Sequence, residues 1–141
     1  MHRRSFLALN SATLIAPYIA AAETDDFRLR EFYAPGGGLS DLALARDGKT
    51  VRVEGFMAPP LKANSNFFVL TKQPMAVCPF CETEADWPDD IMAVYTRRKF
   101  RVVAFNRKIV TSGILSLGAY KDPDTGFLSM VRIEQARFEM A

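Results

Sequence analysis

Apolar and polar positions alternate with period two over several short stretches of this chain, and continuous apolar runs lie between them. Over residues 49–57, Val51, Val53 and Gly55 share one face while Arg52, Glu54 and Phe56 share the other. That pattern predicts a half-buried strand, ended by Ala58-Pro59-Pro60. Phe67-Phe68-Val69-Leu70-Thr71 is nearly all apolar, which predicts a strand buried on both faces. Further strands are expected over 91–96 and, after the basic turn Arg97-Arg98-Lys99, over 100–105. The end of the chain reads as a hairpin, with strands over 109–117 and 127–138. Its turn runs through Lys121-Asp122-Pro123-Asp124-Thr125-Gly126, where Pro presets one dihedral and Gly supplies a positive one. One short helix is expected over 41–46, with Ser40 as N-cap, Leu42 and Leu44 as packing residues, and Asp47-Gly48 as its stop.

Five or six strands, one short helix and closely spaced turns predict a mainly β chain folded as a small OB-like barrel. Gly55, Gly113 and Gly118, inside or beside strands, suit the bends of such a barrel. Val53, Phe68, Val69, Val103, Leu115 and Val131 are the expected core.

The N-terminus follows another pattern. His2, Arg3 and Arg4 precede an interrupted apolar run from Phe6 to Ile19, and Ala20-Ala21-Ala22 close it. This order predicts a signal peptide over 1–22, cut before Glu23; the run is too short and broken to span a bilayer. Arg3-Arg4-Ser5-Phe6-Leu7 resembles the twin-arginine export motif, although two arginines also suit an ordinary secretory signal. Residues 23–38 form a polar lead-in ending in Ala34-Pro35-Gly36-Gly37-Gly38, expected to be a flexible joint. The barrel domain is then expected over 39–141, in a periplasmic protein that is not integral to the membrane once processed.

Charge and histidine content narrow the chemistry. Removing residues 1–22 from 141 leaves 119, enough for one core. Losing Arg3 and Arg4 from 18 basic residues leaves 16, against 16 acidic. A net charge of zero argues against nucleic acid or an anionic membrane as the main partner. The single histidine, His2, leaves with the signal. Ser-His-Asp and Cys-His catalysis and histidine metal sites leave with it, so no catalytic residue is assigned.

Cys78-Pro79-Phe80-Cys81 lies between the second and third predicted strands, beside Glu82, Glu84, Asp86, Asp89 and Asp90. The spacing serves a structural disulfide, a redox pair or a metal site. A thioredoxin-like catalyst needs a helix directly after the pair. Here only residues 82–90 precede the next strand, they include Pro88, and their carboxylates raise a thiol pKa. Those carboxylates attract a cation instead. The expected site is therefore zinc or copper(I) held by Cys78 and Cys81, with Glu82, Glu84 or Asp86 completing a zinc tetrahedron. Met75 or Met57 would add a thioether for copper. The thiol-disulfide protein and the interaction module with a structural disulfide stay open as alternatives.

Arg97, Arg98, Lys99, Arg101, Arg107 and Lys108, interleaved with Tyr95, Phe100 and Phe105, are the other conspicuous cluster. They imitate the binding face of a nucleic-acid OB barrel. Export and zero net charge favour a solvated face or a partner for the acidic loop, and nucleic acid is not expected. Trp87 reads as a loop anchor.

Residues 51–59, the Phe-Phe-Val-Leu strand, the cysteine loop and Gly113-Ile114-Leu115-Ser116-Leu117-Gly118 together resemble an uncharacterised family of exported bacterial OB-like proteins. Gly126-Phe127-Leu128-Ser129 and Ile133-Glu134-Gln135-Ala136 fit the same pattern, so the likeness covers about residues 39–139. Members often accompany ABC transporter components of the lipoprotein-release or efflux type, and some accompany metal-related systems. The resemblance implies an accessory role beside such a transporter, without transport activity of its own. Many relatives carry a cysteine, a histidine and a run of prolines where this chain has Cys78-Pro79-Phe80-Cys81 and acidic residues. The combined expectation is a non-enzymatic periplasmic accessory protein that binds a thiophilic metal.

Overall fold

Alternation in the sequence becomes alternation in burial along the first long strand of the computed structural model, which describes residues 26–60, 66–76 and 91–141. In β2 (Thr50–Met57), Val51, Val53 and Met57 are buried, while Arg52, Glu54 and Phe56 are half-buried. The other strands described are β1 (Asp26–Arg28), β3 (Phe67–Thr71), β4 (Ile91–Thr96), β5 (Lys108–Lys121) and β6 (Leu128–Met140). They form one mixed sheet in the order β1-β2-β3-β4-β6-β5, and β5 returns to β2 along Thr50–Phe56. Five strands thus make a ring, antiparallel except for the β4–β6 pair. The seam between β2 and β3 is only two residue pairs long, Phe56 with Thr71 and Met57 with Leu70. The protein is mainly β, with the small barrel-like fold expected. No helix among the described residues is long and apolar enough to cross a membrane.

Val51, Val53, Phe68, Leu70, Met92, Val94, Ile109, Leu115, Val131 and Ile133 fill the ring. β3 is buried on both faces, as its continuous apolar run requires. Phe68 and Leu70 point into the ring, whereas Phe67 and Val69 join Ile91, Ala93 and Phe127 in a second cluster. Val69 is therefore a core residue of that outer cluster rather than of the ring.

The short helix α1 (Asp41–Arg46) starts where the sequence places it, with Ser40 Oγ accepting from the Ala43 N–H at 3.2 Å. Ala43 is its fully buried packing residue and Leu42 is half-buried, while Leu44 faces solvent at 59% exposure.

The expected flexible lead-in contains structure. β1 runs parallel to β2, and a 3-10 turn over Leu29–Phe32 follows it. Leu29 and Phe32 are fully buried, and Phe27 meets Phe32 edge-on at 5.8 Å. These apolar residues stand in polar company too irregularly for a periodic signal. They join the ring core on the side where the β2–β3 seam is short. Only Ala34–Gly38 is the loop expected, closed by the Ala34 N–H on the Gly38 carbonyl at 2.9 Å with all three glycines at positive φ.

Phe100–Phe105 is not a strand. Phe100 and Val103 pack against the ring core three residues apart, while Val102 and Phe105 are exposed at 58% and 39%. Both edges of β4 and of β5 are already paired, so this apolar run finds no ladder to join. β5 and β6 are longer than expected, and the turn between them is tighter. The Asp122 carboxylate caps that turn, accepting from the Asp124 and Thr125 N–H groups at 2.7 and 3.0 Å, with Gly126 at φ 73°.

Candidate functional site

The expected metal-binding function is corrected. Among the described residues no three His, Cys, Asp or Glu side chains come together to hold an ion. Most of the described acids engage cations or amides instead of one another. Asp26 and Glu139 both pair with Arg52, at 2.5 and 3.0 Å, and Glu54 pairs with Lys108 at 3.2 Å. Asp122 is folded onto its own turn. Of the expected zinc or copper(I) ligands, Met75 is half-buried, while Cys78, Cys81, Glu82, Glu84 and Asp86 lie outside the described residues. Met57, the alternative thioether, is locked in the ring core at 1% exposure. Asp89, Asp90, Trp87 and residues 1–25 also lie outside the described residues.

What the fold does assemble is a basic groove of 460 Å³ between the end of β4 and the end of β6. Its floor is aromatic. Phe100 and Phe138 meet edge-on at 5.6 Å, and each meets the fully buried Phe68, at 5.2 and 5.6 Å. The groove is thereby fastened to the ring core. Thr96 fixes the turn above it, its N–H donating to the Asn66 carbonyl at 2.8 Å and its hydroxyl to the Arg98 carbonyl at 2.7 Å. Arg97, Arg98, Lys99 and Arg137 form the walls, all exposed. Among the described residues no carboxylate pairs with any of them. A second concavity of 490 Å³ lies where β1 meets β2, but there the Glu54–Lys108 pair lines the wall.

A bulge in β6 builds one wall of the groove. Between Val94 and Thr96 β4 advances two residues while β6 advances three, from Ile133 to Ala136. From the other side, Ser112 to Ile114 on β5 opposes Glu134 to Arg137. β6 therefore carries one extra residue relative to both neighbours. The extra residue switches the phase of burial: Val131 and Ile133 point inward before it, Ala136 and Phe138 after it. Gln135, at φ 50°, is the non-glycine residue with positive φ among those described. Arg97 Nη2 donates to Gln135 Oε1 at 3.3 Å. Beside the bulge a smaller cavity of 160 Å³ is lined by Arg97, Arg137, Gln135, Ser112 and Thr50, so Arg97 and Arg137 border both spaces.

A polar cluster occupies the outer face of β4, β5 and β6 near the hairpin turn. Arg132, 6% exposed, donates to the Gly118 carbonyl at 2.6 Å and to Ser116 Oγ at 3.0 Å, and its guanidinium lies 5.1 Å from the Tyr120 ring centre. Its Nε makes a loose ion pair with Glu134 at 3.6 Å. Burial opposes the charge on Asp122, but the Thr125 and Asp124 N–H groups, aided by the Tyr95 and Thr125 hydroxyls, hold its carboxyl below the usual range. Burial, then the facing Asp122 carboxylate, pushes the Tyr95 hydroxyl above its ordinary range. Tyr95 Oη faces that carboxylate without a well-formed hydrogen bond. These side chains are largely engaged with one another and knit the turn to the sheet.

The basic run was legible in the sequence as a cluster, and the structure brings Arg97, Arg98, Lys99 and Phe100 to one groove. Arg101, Arg107 and Lys108 do not line it. Arg137, Phe138 and Gln135 escaped the sequence reading. Their signal is the break in alternation along Val131-Arg132-Ile133-Glu134-Gln135-Ala136-Arg137-Phe138, where apolar residues change from odd to even positions.

Fold and groove together define a small, mainly β, barrel-like protein with a basic concavity at one side. No protein-family model matches the chain, and no curated protein sequence matches it significantly. Among solved structures it is similar to the crystal structure of a DUF3299 family protein from Pseudomonas aeruginosa PAO1. The TM-score is 0.54 at 14% identity, over 83% of this chain and 95% of that one. A likeness at that identity supports the fold alone.

Proposed function

We propose that this chain is an exported accessory protein that binds carboxylate-bearing segments of a cell-envelope partner in the basic groove. The carrying observation is the wall of Arg97, Arg98, Lys99 and Arg137 over a Phe100/Phe138 floor, with no carboxylate partner among the described residues. Four cations held around an apolar floor attract an anion and offer its aliphatic parts a surface as well. Arginine in particular matches the planar fork of a carboxylate. Support for export comes from the Arg3-Arg4 segment and the apolar run behind it. The ABC transporter component that the family resemblance implies is the partner proposed.

The reading is tested with fluorescent acidic peptides titrated with the full mature chain. Binding is expected, weakening steeply between low and physiological salt because the contacts are exposed. Arg98→Ala with Lys99→Ala should weaken it by roughly tenfold. A single-stranded oligonucleotide bound more tightly than any acidic peptide would replace this reading with a nucleic-acid one.

A further inference from the structure

We infer that the small cavity beside the β6 bulge is a carboxylate subsite of the basic groove, with the Gln135 side-chain amide as its specificity element. This rests on the groove being a binding site. A non-glycine residue in the left-handed region is held there against its own preference, and such outliers concentrate where a side chain must be aimed. Glycine would relieve the position, yet the chain places a long amide there. The extra residue in β6 sets Gln135 in the lining of the small cavity together with Arg97 and Arg137, the two residues that also border the groove. Arg97 takes the amide oxygen at 3.3 Å, so the oxygen is engaged and the NH₂ group is left to donate. The cavity lining then offers two guanidinium groups, the amide NH₂ and the Thr50 hydroxyl, and no acid among the described residues, while the Ser112 hydroxyl donates to the Arg137 carbonyl at 3.5 Å. At 160 Å³ it is well below the roughly 300 Å³ at which pockets begin to take drug-sized ligands. One carboxylate with its nearest carbons fits that space and that donor set.

The carboxylate can come from a Glu or Asp side chain or from a chain terminus. Three labelled peptides separate these sources: an acidic peptide with a free C-terminus, the same peptide amidated, and its Gln-substituted form with a free C-terminus. The key variant is Gln135→Gly, which keeps the positive φ and the bulge but removes the amide. It is expected to bind the preferred peptide about tenfold more weakly, with an unchanged circular dichroism spectrum. Gln135→Asn, which also tolerates this backbone, should recover part of the loss. Loss on amidation assigns the terminus and loss on Gln substitution assigns the side chain; either supports the subsite where Gln135→Gly shrinks that loss relative to the parent. If Gln135→Gly binds every peptide like the parent while the Arg98/Lys99 double variant is weakened, the subsite is wrong and the groove stands. If the parent binds none of the peptides, groove and subsite both fall.

Discussion

Gly113 faces the β6 bulge so closely that a Cβ on it would stand 2.6 Å from the Glu134 carbonyl oxygen and 2.6 Å from Ile133 Cγ2. One of those atoms is backbone and the other belongs to a fully buried side chain, so neither yields cheaply. Gly113→Ala should therefore destabilise the protein by about 1–3 kcal/mol through overpacking, measured by denaturant unfolding. An unchanged midpoint would mean that β5 and β6 do not meet as described.

Gln135 on the other side of the same bulge should behave in the opposite way. Its φ of 50° suits glycine, and relief of that strain offsets the extra freedom glycine gives the unfolded chain. Gln135→Gly should be at least as stable as the parent. Gln135→Val should lose about 1 kcal/mol or more, because a branched side chain tolerates the left-handed region poorly. Equal stability of the two variants would mean that residue 135 is not strained at the bulge.

The Tyr33 hydroxyl donates to the Ile91 carbonyl at 2.5 Å, tying the N-terminal turn to the first residue of β4. Tyr33→Phe keeps the ring and removes only this donor. A loss of about 1 kcal/mol is expected, together with faster amide exchange in β1 and the 3-10 turn. No change in either measurement would show that the segment is held without this hydrogen bond, by the β1–β2 ladder and the burial of Leu29 and Phe32.

Stability should fall at both ends of the pH scale through the hairpin cluster. Asp122 has a folded pKa below its usual 3.8, so its contribution is present above that value. It is lost as the pH falls through the lowered folded value. Tyr95 is raised above its usual 10.0, so its contribution is full below that pH and is lost as the pH rises through the folded value. Asp122→Asn should flatten the acid limb of a stability profile, and Tyr95→Phe the alkaline limb. Limbs that survive these substitutions belong to other groups.

Strand positions with one face inward were legible because burial and alternation share a period. Residues 50–57 read correctly for that reason, whereas 67–71 and 91–96 were legible as short apolar runs, buried on both faces over most of their length. The Ser40 cap and the Asp122–Gly126 turn were legible from their local side-chain chemistry. Phe100–Phe105 misled because apolar content resembles a strand even where the strands on either side of it in sequence, β4 and β5, are already paired on both edges. Leu29 and Phe32 were hidden because a plug needs only isolated large residues, with no repeat to announce it. The groove was half visible. Arg97-Arg98-Lys99 stands out as a run, but Arg137 and Phe138 reach the same place only through the bulge. A phase change of one residue alters which face each later side chain occupies.

Phe68, Phe100 and Phe138 join the core to the groove, and their energetics should be coupled. Phe68 is fully buried, so Phe68→Ala should cost about 3–5 kcal/mol through lost burial and the cavity left behind. Phe100 and Phe138 are only partly buried, and each truncation alone should cost less. Their rings meet edge-on at 5.6 Å, an arrangement that contributes about 0.5–1.5 kcal/mol beyond burial. A double-mutant cycle on Phe100→Ala and Phe138→Ala should therefore show coupling of that size. Acidic-peptide binding should also weaken in each single variant, because the floor that both rings form is lost. Full additivity would mean that the rings do not touch in solution. Peptide affinity unchanged in both variants would place the bound segment on the arginine rim, away from the aromatic floor.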